Sequence, residues 1–152
     1  MTDLLTPDER ETLNADLRES EGFRTYPYRD TKGFLTIGYG TNLDAGISRR
    51  QAQALLDVKL DDDVLPALNA RLPWIAQLDP VRKRAFVELA YNMGLGNRTR
   101  GLLSFTHTLA AAERGDWETA AAGLLRSKWA RDVKERRATR IAEMVRTGTE
   151  QR

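Results

Sequence analysis

A single short stretch of this chain is patterned for β-strands, and the sequence around it is patterned for helices. Aromatic and β-branched residues occur in short runs over residues 25–39, which is typical of strands. The polar segment Asp30-Thr31-Lys32-Gly33 separates these runs and predicts a turn. We therefore expect an antiparallel hairpin, followed by a loop that carries a short third strand and is marked by Gly38, Gly40 and Gly46.

The helix before the hairpin has clear start and end signals. At residues 6–9, a threonine suited to the N-cap is followed by a proline at the first helical position and by a glutamate that completes a capping box. Leu13 and Leu17 then fall four residues apart on one face. Gly22 is the expected end of this helix, because glycine adopts the left-handed conformation at low cost. Glu21 is thereby placed in the last helical turn.

The chain after Ile47 is patterned for helices. Residues 48–51 predict a second capping box, and apolar side chains follow at four-residue spacing. Pro66 lies inside this helix, and an interior proline removes a hydrogen bond and costs about 3 kcal/mol. We expect a bend or a break near Leu65. Further helices are predicted to start at Asp79, Ser104, Asp116 and Lys134.

These elements predict an α+β fold, in which a small lobe with a three-stranded antiparallel sheet is joined by a long helix to a larger, all-helical lobe. The small lobe is expected at about residues 12–60, the connecting helix at about 49–70, and the helical lobe at about 71–148 together with the start of the N-terminal helix, all in one domain of residues 1–152. The tail around Gly148 is expected to be frayed. A cleft between two lobes is a usual place for a ligand.

The composition excludes several kinds of chemistry. The chain has no cysteine and one histidine, so disulfides, thiolate metal sites and multi-histidine metal sites are excluded, and we expect neither a metal nor a cofactor. No apolar stretch approaches the ~18–20 residues that cross a bilayer, and the first twenty residues lack the pattern of a secretory signal. The protein is therefore expected to stay in the cytoplasm in which it is made until the membrane is permeabilised.

The net charge of +2 hides an uneven distribution. Residues 1–65 carry 8 Lys/Arg and 13 Asp/Glu, whereas residues 66–152 carry 16 and 9. The basic side chains are densest over residues 126–140. Such a run is either a solvated helical face or a surface with affinity for a polyanion, a class that includes bacterial walls and nucleic acids.

Glu21, Asp30 and Thr36 are the candidates for catalysis. Glycoside hydrolysis requires a carboxylic acid that protonates the leaving oxygen and a second carboxylate that activates water or attacks directly. Glu21 ends a helix, where the negative pole of the helix dipole disfavours an ionised carboxylate, as suits an acid. Asp30 lies at the hairpin turn, and Thr36 on the returning strand can hydrogen-bond a water that Asp30 activates. Taken alone, Glu21 and Asp30 also fit ordinary helix-end and turn positions.

The spacing of these three residues resembles a known family. Glu, eight residues, Asp, five residues and Thr, embedded in Glu-Gly-Phe-Arg and Thr-Ile-Gly-Tyr-Gly, is similar to the catalytic motif of the phage-type lysozymes, the endolysins of glycoside hydrolase family 24. Among them the T-even phage lysozymes resemble it most. The similarity covers nearly the whole chain, through segments at 78–82, 91–94, 117–121, 127–129, 137–140 and 146–149.

The resemblance implies hydrolysis, with inversion, of the β-1,4 bond between N-acetylmuramic acid and N-acetylglucosamine in peptidoglycan. It implies Glu21 as the general acid, Asp30 as the base and Thr36 as the residue that helps to hold the water. Arg137 matches the family arginine that pairs with the catalytic glutamate from the far lobe. Supporting or substrate-binding roles are implied for four further residues: Gly40, Tyr91, Asn92 and Phe105.

The resemblance further implies host-cell lysis by a monomeric enzyme, which needs a separate holin-like membrane protein to reach the periplasm and the cell wall. No specific nucleic-acid partner is expected. Two alternatives stay open. A lytic transglycosylase uses a similar acid without a base-activated water, and Asp30 and Thr36 argue against it. A wall- or nucleic-acid-binding module that has lost its activity would have no reason to retain all three candidates.

Overall fold

The computed structural model describes residues 4–151 and has the predicted α+β architecture. Helix α1 (Pro7–Glu21) leads into three strands, β1 (Arg24–Arg29), β2 (Leu35–Gly38) and β3 (Thr41–Asn42), which form an antiparallel sheet in the order β1-β2-β3. Seven α-helices follow within the described residues: α2 (Arg49–Val58), α3 (Leu65–Arg71), α4 (Pro80–Met93), α5 (Thr106–Glu113), α6 (Trp117–Leu125), α7 (Lys128–Asp132) and α8 (Glu135–Thr147).

The chain forms two compact units, of which the first ends at Gln53 and the second begins at Ala54, within α2. The lobe boundaries given above stay a prediction. No helix between residues 4 and 151 combines the length and the apolar character needed to cross a bilayer.

Both predicted capping boxes are present. At the start of α1, the Thr6 N–H donates to Glu9 Oε2 (2.7 Å), and the Glu9 N–H donates to Thr6 Oγ1 (3.3 Å). Ser48 and Gln51 exchange the same pair of hydrogen bonds at the start of α2. Gly22, with φ of 66°, ends α1 as predicted.

The hairpin contains an irregularity that the sequence analysis missed. Arg24 pairs with Gly38, but the next pair is Tyr28 with Thr36, so three residues of β1 lie opposite one residue of β2. Pro27 lies in this bulge. Proline has no N–H to donate, so in sheets it is confined to edges and bulges. Pro27 was therefore the sequence signal from which the bulge could have been predicted.

The predicted interruption before Pro66 takes the form of a π-helix. Residues Lys59–Val64 form this segment between α2 and α3, and Pro66 lies in the first turn of α3. In an α-helix the proline ring would clash with the carbonyl of Asp62 and leave it without a partner. The wider π-turn, a common site of helix irregularity, accommodates the proline.

Two local predictions for the later helices are wrong. Ser104 does not cap α5: its hydroxyl donates to the Gly101 carbonyl (2.6 Å), and a 3-10 helix over Leu102–Ser104 precedes α5. Local hydrogen bonds of this kind compete with capping. The tail around Gly148 is hydrogen-bonded instead of frayed: the Gly148 N–H donates to the Met144 carbonyl (2.9 Å), and the Thr149 N–H donates to Thr147 Oγ1 (3.1 Å). Arg82 donates from Nε to the Val145 carbonyl (2.7 Å) and from Nη2 to the Arg146 carbonyl (2.8 Å), which holds the end of α8.

The core of the second unit lies among α4, α5, α6 and α8. Each fully buried aliphatic or aromatic side chain contributes about 1.5–3 kcal/mol to the stability of the fold. The predicted core residues from α6 to α8 are buried, except Trp117, which is half-buried beneath the Arg82 guanidinium. The largest fully buried side chains are Phe86, Leu89, Leu102, Leu124, Ile141 and Val145.

Asp79 links the start of α4 to the Arg82 interactions. Its Oδ1 accepts hydrogen bonds from the N–H groups of Val81 (3.1 Å) and Arg82 (2.9 Å), and its Oδ2 accepts one from Arg82 Nη1 (3.0 Å). Burial raises the pKa of Asp79, but the hydrogen bonds and charge of Arg82, with the Val81 N–H, outweigh burial and lower the pKa below its ordinary value of 3.8. The ionised Asp79 therefore stabilises the folded state. This contribution is complete well above pH 3.8 and is lost as the pH falls through the lower pKa that Asp79 has in the folded state.

We predict that Asp79→Ala lowers the free energy of unfolding by about 1–2 kcal/mol at neutral pH, because α4 loses its N-cap. The difference from the wild type should narrow in acid, where the wild-type carboxylate is protonated. Urea denaturation at neutral and at acid pH measures the free energy of unfolding of both proteins. Asp8→Ala is the control, because Asp8 lies in the first turn of α1 without capping it. An equal loss at neutral and acid pH would contradict the role of the charge.

Candidate active site

Glu21 lies against the backbone of Gly40. Glu21 is the last residue of α1, and its side chain is exposed. A Cβ atom added to Gly40 would lie 2.9 Å from Glu21 Oε2 and 3.5 Å from Glu21 Cδ. Gly40 also has a φ of +82°, a conformation that side chains with a Cβ rarely adopt. The carboxylate thus occupies the space that any larger residue at position 40 would fill.

The strand register brings these two residues together. Gly22 turns the chain out of α1, and Arg24 then pairs with Gly38. Because the strands are antiparallel, the residues before Arg24 run beside the residues after Gly38. Phe23 and Tyr39 contact each other across this point, with ring centroids 5.5 Å apart. Glu21 therefore owes its position to the end of α1 and to the backbone pairing that follows it.

Asp30 anchors the hairpin turn with one carboxylate oxygen. Its Oδ1 accepts hydrogen bonds from the N–H groups of Lys32 and Phe34, both 2.9 Å long. Its Oδ2 accepts no hydrogen bond from any residue between 4 and 53. The turn therefore fixes the carboxylate and leaves one oxygen available for chemistry.

Thr36 is linked to Asp30 through the main chain of Phe34. The Thr36 hydroxyl donates to the Phe34 carbonyl (3.0 Å), while the Phe34 N–H donates to Asp30 Oδ1. Thr36 is only 3% exposed and is the one buried residue of the first unit among those described. Because its proton is engaged, the hydroxyl can accept a hydrogen bond but has no second proton to donate. Sequence reasoning missed Phe34, because its contribution is made by main-chain groups.

Two of the remaining candidates meet in the second unit. Asn92 and Phe105 line an open pocket of about 670 Å³ together with Trp129. Trp129 Nε1 donates a hydrogen bond to Asn92 Oδ1 (2.8 Å). The Asn92 oxygen is thus already engaged with protein, which leaves its amide N–H groups as donors toward a ligand.

Tyr91 and Arg137 lie apart from that pocket. Tyr91, on α4, is 46% exposed and lines a separate apolar pocket with Leu60 and Val87. Arg137 is exposed in the first turn of α8 and forms no ion pair with residues 54–151. The pairing of Arg137 with Glu21 stays a prediction.

Comparison with known proteins identifies the family. The family model described as phage lysozyme matches residues 18–144. This chain belongs to the phage lysozyme family. It is similar to the probable T4-type lysozyme 1 of Dictyostelium discoideum, with 28% identity over 163 residues, which covers 88% of this chain and 92% of that protein.

A second relative of this phage lysozyme is the pre-baseplate central spike protein Gp5 of Enterobacteria phage T4. The two are 28% identical over 161 residues, which is 87% of this chain but 27% of Gp5. Family membership makes the protein a glycoside hydrolase, a lysozyme whose substrate is peptidoglycan. Residues 4–151 contain no group of three or more His, Cys, Asp or Glu side chains placed to hold a metal ion.

The contact between Glu21 and Gly40 leads to a prediction. In Gly40→Ala, the new Cβ would displace the Glu21 carboxylate, and displacement of a catalytic group by about 1 Å costs on the order of a hundredfold in rate. The positive φ adds about 1 kcal/mol of strain to the folded state. Reducing-end release from peptidoglycan measures the rate, and thermal unfolding measures the strain.

Gly46→Ala separates the two effects in the Gly40 variant. Gly46 has a similar φ of +75°, but nothing lies within 4 Å of its added Cβ. It should lose stability and keep its rate. Equal rates for Gly40→Ala and Gly46→Ala would show that the Glu21 contact has no part in catalysis.

Proposed function

We propose that this lysozyme hydrolyses the β-1,4 bond between N-acetylmuramic acid and N-acetylglucosamine by a single displacement with inversion. Glu21 is the general acid and Asp30 the general base. The arrangement of Asp30 is the observation that carries the proposal: one oxygen is fixed by two N–H groups, and the other accepts no hydrogen bond from residues 4–53. A fixed carboxylate with an unengaged oxygen is what the activation of a water molecule requires.

The proton transfers follow from these side chains. Glu21 gives its proton to the glycosidic oxygen as the bond to the anomeric carbon breaks. A water molecule gives one proton to Asp30 Oδ2, and its oxygen forms the new bond to the anomeric carbon. The Thr36 hydroxyl, which donates to the Phe34 carbonyl, accepts the second hydrogen of this water and so orients its lone pair toward the sugar.

We also propose that the biological role is lysis of a bacterial host. The enzyme acts as a monomer that is held in the cytoplasm until a separate holin-like protein permeabilises the membrane, and it then reaches the periplasm and the wall. The match to the phage lysozyme family supports this role.

Mass spectrometry of the fragments released from purified peptidoglycan tests the reaction. Hydrolysis adds one water at each cleaved bond and leaves a reducing N-acetylmuramic acid. A lytic transglycosylase instead produces a 1,6-anhydro end, because no water enters the product. Anhydro products, or intact glycan strands after incubation with the folded enzyme, would contradict the proposal.

A further inference from the structure

Two aromatic side chains beside Glu21 are exposed and contact each other. Phe23 is 64% exposed and Tyr39 is 47% exposed. Their ring centroids are 5.5 Å apart, and the ring planes are inclined by 48°. Large aromatic side chains gain free energy when they are covered, so an exposed pair favours contact with a ligand.

The aromatic pair is adjacent to the candidate acid along both chain segments. Tyr39 directly precedes Gly40, against which the Glu21 carboxylate lies, and Phe23 follows Glu21 by two residues. Two residues of extended chain span at most ~7 Å. That distance is comparable to the width of one sugar ring.

The neighbouring aromatic residues of β1 differ from this pair. The Tyr28 ring is covered by the Arg24 guanidinium, 5.1 Å from the ring centroid. Tyr26 is 80% exposed, lies in the bulge of β1 and has no ring contact within residues 4–53. Phe23 and Tyr39 are therefore the exposed pair whose rings are already held in place next to the acid.

We propose that Phe23 and Tyr39 form a platform that binds an N-acetylhexosamine ring of the glycan strand next to the bond that is cleaved. A pyranose ring has a face of C–H groups that is apolar and matches the face of an aromatic ring, while its hydroxyl and N-acetyl groups point outward. Ligand sites combine apolar and aromatic surface with a few polar groups in this way. The proposal rests on the proposed role of Glu21 as the acid, because the platform lies next to the cleaved bond only if Glu21 protonates that bond.

Four variants test the platform. Phe23→Leu and Tyr39→Leu remove a ring but keep an apolar side chain, Tyr39→Phe keeps the ring, and Tyr26→Leu removes an exposed ring outside the pair. We expect about a tenfold rise in KM on solubilised glycan strands for Phe23→Leu and for Tyr39→Leu, with kcat changed by less than about twofold. Tyr39→Phe and Tyr26→Leu should behave as the wild type.

A binding measurement separates this proposal from the catalytic one. In a Glu21→Gln background, calorimetry with a soluble N-acetylhexosamine tetrasaccharide from peptidoglycan should show the same tenfold loss of affinity for the Leu variants. Lower kcat at unchanged KM would overturn the platform, because the pair would then only position Glu21. Equal effects of Tyr26→Leu would also overturn it. If the wild type did not cleave peptidoglycan, the proposed function would be refuted instead. The affinity measurement would still test the platform, because it does not depend on turnover.

Discussion

Glu21→Gln is expected to reduce the rate of peptidoglycan hydrolysis by about a thousandfold, within the range of general acid catalysis. Glutamine has nearly the shape of glutamic acid and can lie against Gly40 in the same way, but it has no acidic proton to give. The side chain of Glu21 is exposed and has no hydrogen bond to residues 4–53. The variant should therefore unfold at the same temperature as the wild type, and the release of reducing ends from peptidoglycan measures its rate.

Glu19→Gln provides the matched control for this prediction. Glu19 is an exposed carboxylate in the same last turns of α1, two residues before Glu21. The substitution removes the same charge from the same helix end, so it reproduces any general electrostatic effect on a polyanionic substrate. The rate should be unchanged. Comparable rates of peptidoglycan hydrolysis by Glu21→Gln and Glu19→Gln would show that Glu21 is not the catalytic acid.

Asp30→Asn is expected to reduce the rate by about a hundredfold or more, because the oxygen that takes a proton from water is replaced by an amide NH2 group that cannot. The single side-chain oxygen of asparagine can still accept hydrogen bonds from the N–H groups of Lys32 and Phe34. The turn should therefore persist, and stability measured by urea denaturation should fall little.

Asp30→Ala separates the two functions of this side chain. It removes the base and also both turn hydrogen bonds, so it should lose the same activity as Asp30→Asn together with about 1–3 kcal/mol of stability. If Asp30→Asn kept nearly the full rate while Asp30→Ala lost it, Asp30 would serve only to anchor the turn.

Local signals in the sequence predicted the elements that carry these residues. The threonine, proline and glutamate at residues 6–9 marked the start of α1, and Gly22 marked its end. The turn after Asp30 set the hairpin. Each signal acts within about four residues, so it depends little on contacts with distant parts of the chain. Sequence alone therefore placed Glu21 at a helix end and Asp30 at a turn.

Other features of the fold were not predictable in this way. Ser104 has the residue type of an N-cap, yet its hydroxyl binds Gly101, because the tight segment before α5 decides the backbone path. Short helix α7, capped by Ser127, is too brief to show a hydrophobic period. The end of α8 is held by Arg82, which lies 63 residues from its partner Val145.

The contact between Glu21 and Gly40 belongs to the same class. Gly40 was a candidate because of its place in the Thr-Ile-Gly-Tyr-Gly segment. The need for glycine at this position is visible only in the structure, where the Glu21 carboxylate occupies the space that a Cβ atom would fill. The tie between Asp30 and Thr36 uses the main chain of Phe34. Main-chain groups are the same in every residue except proline, so the pattern of side chains in the sequence could not predict this link.

The configuration of the first product tests the central claim most directly, since a water activated by Asp30 must attack from the face opposite the leaving group. Proton NMR during the first minutes of digestion distinguishes the anomers of the newly formed reducing N-acetylmuramic acid before they equilibrate. Inversion of the β-linkage predicts that the α-anomer accumulates first. Initial formation of the β-anomer would show retention and would contradict the assignment of Asp30 as the base.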